Sequence, residues 1–184
     1  MSAIPSEELV ALGLGSCVGV AIVDRSAGVA GLAHVVLPES GGRRDELGKF
    51  ADTAVAELVS RLRAAGAAPR RLEAVLAGGA HMFETSGLDI GSRNEQAVRD
   101  QLARARIPVR AAETGGSQGR TLRVTQGCTI TVRVAGEEPQ TLLDGGRSGG
   151  SGRAPGAASR IGTGAHGAVG HGPVTRAVCG GVGL

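Results

Sequence analysis

Two apolar runs rich in β-branched residues, 18–23 and 29–37, stand close together near the start of the chain. Such runs bounded by small polar residues read as strands. Between them lies "DRSAG", where Asp24, Ser26 and Gly28 suit a hairpin turn. A loop at 38–42, "PESGG", leads into a different period. Val55, Leu58, Val59 and Leu62 recur at three- and four-residue steps, which predicts a helix over 49–65 with one buried face and Gly66 as its stop. Residues 72–77 read as a buried strand ended by Gly78 and Gly79. A second helix is predicted over 94–106, with Ala97, Val98, Leu102 and Ala105 on one face and Asn94 as a candidate cap. Strands are predicted again at 109–112, 122–125 and 129–134. At least six strands and two helices predict an α/β fold: a single domain with a mixed, largely antiparallel sheet packed with two main helices. The near-adjacent strands at both ends argue against a purely parallel order.

Composition divides the chain of 184 residues in two. Residues 1–144 carry the pattern just described and form the predicted domain. In 145–184, 14 of the 40 positions are glycine and large apolar residues are sparse, so this tail is expected to be disordered. The tail also explains the pI near 9.2. It holds four arginines and no acid, whereas the first 144 residues carry 16 basic and 17 acidic groups, a net −1. The basic pI is therefore no nucleic-acid footprint. With two Phe and neither Trp nor Tyr, the chain also lacks aromatic platforms for base stacking. There is no run of apolar residues long enough for a membrane span and no signal-peptide pattern. A cytoplasmic location is expected, where thiols stay reduced.

The three cysteines, Cys17, Cys128 and Cys179, are an odd number at wide spacings, which gives neither a zinc module nor a disulfide framework. The "HGAVGH" stretch, with His166 and His171, makes a poor metal site because its spacing falls on no predicted element. Cys17 is the notable one. Gly13, Gly15 and Ser16 lead into it and an apolar strand follows. It is either a small buried hydrophobe or a nucleophile presented by a turn whose free N–H groups face an oxyanion. His34, inside the next strand, is either a hydrogen-bonded core residue or the base such a thiol needs. Adjacent strands lie about 5 Å apart, close enough for the two to meet and for an ion pair to lower the thiol pKa. The same glycines do not make a dinucleotide fingerprint, since Val18 holds the third glycine position and no helix follows. Three further segments, 77–83, 90–98 and 113–120, have the look of polar loops, with His81 in the first.

Taken together, "LGLGSCVGV", "GLAHVVLPES", "GKFADTAVAELV", "AGGAHMF", "IGSRNEQAV" and "ETGGSQGR" resemble the CheD family of chemoreceptor glutamine deamidases, over about residues 8–135. The resemblance implies a CheD-like layered sandwich, and it implies Cys17 as nucleophile and His34 as base. It further implies hydrolysis of receptor glutamine side chains to glutamate through a thioester, with the chemoreceptor cytoplasmic domain as substrate and a CheC-type phosphatase as a possible partner. No cofactor, metal, nucleic acid or membrane insertion is implied. Two positions depart from the family pattern. Ala11 stands six residues before the cysteine, where a threonine often helps to orient the histidine. Ser117 stands where an asparagine is common. The loss of that hydroxyl raises an alternative: a weakly catalytic or non-catalytic binding module of the chemotaxis pathway.

Overall fold

The computed structural model describes residues 8–43, 45–81 and 89–146, together with a strand at 174–178. In chain order the elements are β1 (Leu9–Leu14), β2 (Val18–Asp24), β3 (Val29–Val35), α1 (Ala51–Ala64), β4 (Glu73–Gly78), α2 (Ile90–Arg104), β5 (Val109–Thr114), β6 (Arg120–Val124), β7 (Ile130–Val134), β8 (Gln140–Leu143) and β9 (Val174–Val178). The strands divide between two sheets, ordered β1-β6-β7-β8 and β5-β4-β2-β3-β9. All pairings are antiparallel except β4 with β5, which α2 joins as a crossover.

Burial follows from the layering. Strand β2 is buried at every position, as a central strand covered on both faces must be. Its even-numbered residues Val18, Val20 and Ile22 pack with Val35, Leu76, and the α1 residues Val55, Leu58 and Leu62. Its odd-numbered Ala21 and Val23 pack with Leu32, Leu14, Leu122 and Ile130 between the two sheets. The order is therefore helices, five-stranded sheet, four-stranded sheet. Gly19 allows the two sheets to close, since a Cβ there would stand 2.8 Å from Leu14 Cδ1.

The hydrophobic pattern located both helices and six of the strands to within a few residues. Helix α2 starts four residues before the expected position, because Asp89 and not Asn94 is its cap: the Asp89 carboxylate accepts from the Ser92 N–H at 3.0 Å. The 90–98 segment is accordingly the helix itself rather than a loop. Strand β1 was not predicted, nor was β8. The tail from residue 147 falls outside the described residues apart from β9, which pairs with β3. His166, His171 and Cys179 lie outside them as well.

Candidate active site

Cys17 sits in the bend between β1 and β2, one residue before the β2 ladder begins. Three sets of backbone bonds shape that bend. The Gly15 N–H turns back to the Gly13 carbonyl at 2.9 Å, the Gly79 N–H donates to the Cys17 carbonyl at 2.8 Å, and the Ala80 N–H donates to the Gly15 carbonyl at 2.8 Å. The loop following β4 thus runs alongside the cysteine. Close approach is what makes a glycine necessary at Gly78: its φ is +107°, and a Cβ would lie 2.2 Å from the Cys17 carbonyl oxygen.

His34 lies in β3 directly opposite Gly19. Extending that register one pair beyond Val18 and Val35 puts Cys17 diagonal to His34. Alternation decides the face. Ala21 and Val23 on β2, like Ala30 and Leu32 on β3, point between the sheets, so Cys17 and His34 share that face by parity. Cys17 packs against the inter-sheet cluster, yet both residues remain partly exposed. Diagonal neighbours have Cα atoms about 7–8 Å apart, within reach of long side chains. No hydrogen bond between thiol and imidazole is present among the described residues.

Burial acts on both groups in the direction that neutralises them. It pushes the Cys17 thiol above its ordinary pKa, only partly offset by the hydrogen bond from its own N–H, and it pushes the His34 imidazole below its ordinary value. The expected lowering of the thiol by an ion pair is not what these surroundings produce. Burial thus favours the neutral form of each group.

The other polar segments converge on the same region. The Gly115 N–H donates to the Gly78 carbonyl at 3.0 Å, and the His81 N–H donates to the Gly116 carbonyl at 2.7 Å. Buried Arg120 fixes this glycine loop, donating to the Gly115 and Gln118 carbonyls and pairing with Glu113 at 3.1 Å. His81 is half exposed on the rim, with Nδ1 3.0 Å from an Asp89 carboxylate oxygen. Its neighbours Met82 and Phe83 lie outside the described residues.

With this geometry in place, comparison with known proteins is decisive. The family model described as CheD chemotactic sensory transduction matches residues 36–134. A Thermotoga maritima protein named chemoreceptor glutamine deamidase CheD is 47% identical over 132 residues, 71% of this chain and 84% of that protein. The chain belongs to the CheD family. A Symbiobacterium thermophilum relative, named probable chemoreceptor glutamine deamidase CheD, is likewise 47% identical, over 65% of this chain and 77% of its own length. The matched model begins just after His34, so the placement of Cys17 and His34 rests on the strand register and not on that match.

Sequence reasoning missed two residues of this site. Asn94 is fully buried inside α2, and Arg120 is buried at the start of β6. The signal for Asn94 was available: it falls four residues before Val98 and eight before Leu102, on the apolar stripe of its helix.

Proposed function

We propose that this chain hydrolyses the side-chain amide of glutamines on a chemoreceptor cytoplasmic domain, giving glutamate and ammonia, with Cys17 as nucleophile and His34 as base. The observation that carries the reading is the placement of a partly exposed thiol and a partly exposed imidazole on one face at the mouth of β2 and β3, in a CheD-family chain. The imidazole takes the thiol proton as sulfur bonds to the amide carbon. The resulting oxyanion collapses, the C–N bond breaks, and the imidazolium delivers the proton to the departing ammonia. Water, deprotonated by the same ring, then attacks the thioester. The carboxylate leaves, and the thiol recovers its proton. The receptor side chain passes from neutral to acidic. The reaction takes place in the cytoplasm, where the receptor domain that serves as substrate lies. No helix among the described residues is long and apolar enough to cross a membrane. Mass spectrometry of a receptor cytoplasmic fragment tests the activity directly, since each conversion adds about 1 Da. An unchanged mass after prolonged incubation overturns it.

The burial of both groups fixes the pH dependence. The reactive form carries one proton shared by the pair, whether as thiol and imidazole or as thiolate and imidazolium. Activity falls when His34 protonates, below its lowered pKa, and again when the second proton leaves, above the raised Cys17 pKa. The expected kcat/KM profile is a broad plateau. Its acid limb lies below the ordinary histidine value of about 6.5 and its alkaline limb above the ordinary thiol value of about 8.5. A narrow bell with both limbs inside that interval contradicts the assignment.

Ala11 favours a second reading, a regulatory module that engages a CheC-type phosphatase and turns over slowly. The residue is buried in β1 opposite Leu122 and belongs to the inter-sheet cluster against which Cys17 packs. Its methyl group offers the imidazole no hydrogen bond. Ala11→Thr is expected to raise kcat about tenfold, by steadying the ring, at a cost of about 1 kcal/mol from crowding a packed layer. Turnover assays and denaturant titrations measure the two effects. An unchanged or lower kcat in a folded variant shows that His34 is not limited by a missing hydroxyl partner.

A further inference from the structure

Asn94 stands out as a polar side chain in the wrong place. The buried stripe of α2 runs through Gly91, Asn94, Val98 and Leu102, and Asn94 is 0% exposed. An aliphatic residue would be the ordinary choice there. Its amide nitrogen instead donates two hydrogen bonds, to the Ser16 carbonyl at 3.0 Å and to the Val36 carbonyl at 2.9 Å. Two carbonyl acceptors fix which end of the amide is nitrogen, because the reversed amide would set oxygen against oxygen. The amide oxygen is buried with no partner among the described residues. The fold therefore tolerates an unsatisfied acceptor in order to keep the donor where it is.

The two acceptors explain why. The β2–β3 ladder ends at the pair Val18 and Val35. Ser16 immediately precedes Cys17, and Val36 lies two residues beyond His34, so both carbonyls belong to backbone that has left the ladder. The bonds from Gly79 and Ala80 hold the cysteine bend to the loop after β4, which is the opposite side. Beyond the ladder, the bridge from the cysteine bend to the exit of β3 is made, among the described residues, by Asn94. Helix α2 is itself seated by Gly91, where a Cβ would lie 2.6 Å from the Gly79 and Ala80 carbonyl oxygens.

We propose that Asn94 is a positioning residue for the deamidase reaction: one side-chain amide ties the strand mouth that carries Cys17 to the one that follows His34, and so sets the thiol–imidazole separation. This rests on the Cys17–His34 reading above. It predicts a defect in chemistry and not in substrate capture, because Asn94 is sealed from substrate.

The test uses the full chain with Asn94→Asp, which keeps the size but replaces the donor, and Asn94→Ala as a second variant. Leu102→Ala on the same stripe serves as a control for loss of stability alone. Deamidation of a receptor cytoplasmic fragment gives kcat and KM, and the rate of Cys17 alkylation by iodoacetamide is followed against pH. Both Asn94 variants are expected to lose about 30-fold in kcat, with KM changed less than about twofold and the alkylation profile displaced from wild type. Leu102→Ala, compared at temperatures where it is folded, keeps the wild-type kcat and profile. Asn94 variants that behave like Leu102→Ala overturn the proposal. If Cys17→Ala still deamidates the fragment, the underlying nucleophile assignment fails instead, so the two failures are separable.

Discussion

Cys17→Ala is expected to abolish deamidation, with kcat falling by a factor on the order of 10⁴ or more. The proposed route passes through a covalent thioester, and alanine offers no atom to form it. Water activated by His34 would have to attack an amide directly, without the intermediate that divides a hard step into two easier ones. The fold should tolerate the change. Cys17 is partly exposed, lies outside the strand ladders, and fixes its neighbours through backbone groups that alanine retains. Binding of the receptor fragment should therefore survive while its mass stays unchanged. Cys128→Ala is the matched control. That thiol is fully buried in the cluster between the two sheets, sealed from any substrate, and its removal should leave turnover intact in the folded variant. Equal activity in wild type and Cys17→Ala, read by the mass of the fragment, would remove sulfur from the mechanism.

Gly78→Ala is expected to damage fold and activity together. The new methyl group meets two independent obstacles. The φ of +107° is strained for any L-residue with a Cβ, and the Cβ would stand 2.2 Å from the Cys17 carbonyl oxygen and 3.1 Å from Leu14 Cβ. Backbone, not a pliant side-chain end, must move. Moving the Cys17 carbonyl breaks its bond from the Gly79 N–H and shifts the nucleophile. The expected loss is about 3–4 kcal/mol of stability, with kcat down about 100-fold in the fraction that remains folded. Gly136→Ala separates strain from collision. Gly136 also has a positive φ, +85°, but open space around it, so it should lose only about 1 kcal/mol and no activity. Denaturant titration and turnover of the two variants provide the comparison. Similar behaviour of both would show that the contact with Cys17 is unimportant.

What the sequence disclosed followed the strength of its periodicity. Strands β2 and β3 and helix α1 were legible because their apolar positions repeat cleanly and their ends carry turn residues. Helix α2 was placed late because its first turn, "IGSR", is polar and small, and because its cap, Asp89, follows a segment with no pattern. Strand β8 is short and only partly buried, leaving little hydrophobic signal. Strand β1 contains a register shift between Ala11 and Leu14, with Gly13 at a φ of +65°, which interrupts its alternation. The division into two sheets depends on pairings such as β1 with β6, separated by more than a hundred residues, which no local pattern encodes.

The candidate site was legible only as a set of residues and not as a geometry. Motif chemistry singled out Cys17 and His34, but whether they share a face depends on the pairing of Gly19 with His34, a matter of register alone. The sequence reading had an ion pair with His34, if formed, lowering the thiol pKa; burial, which no local pattern encodes, acts in the opposite direction. Asn94 was misread as a cap for the same reason that α2 was shortened.

Acid-quenched intact mass analysis during turnover, followed by peptide mapping, tests the central claim most directly. In the wild-type chain quenched during turnover, the expected species is an adduct of the mass of protein plus substrate peptide less one ammonia, located on the peptide that contains Cys17. An adduct carried by Cys128, or deamidation that proceeds with no covalent species at any time, would contradict it.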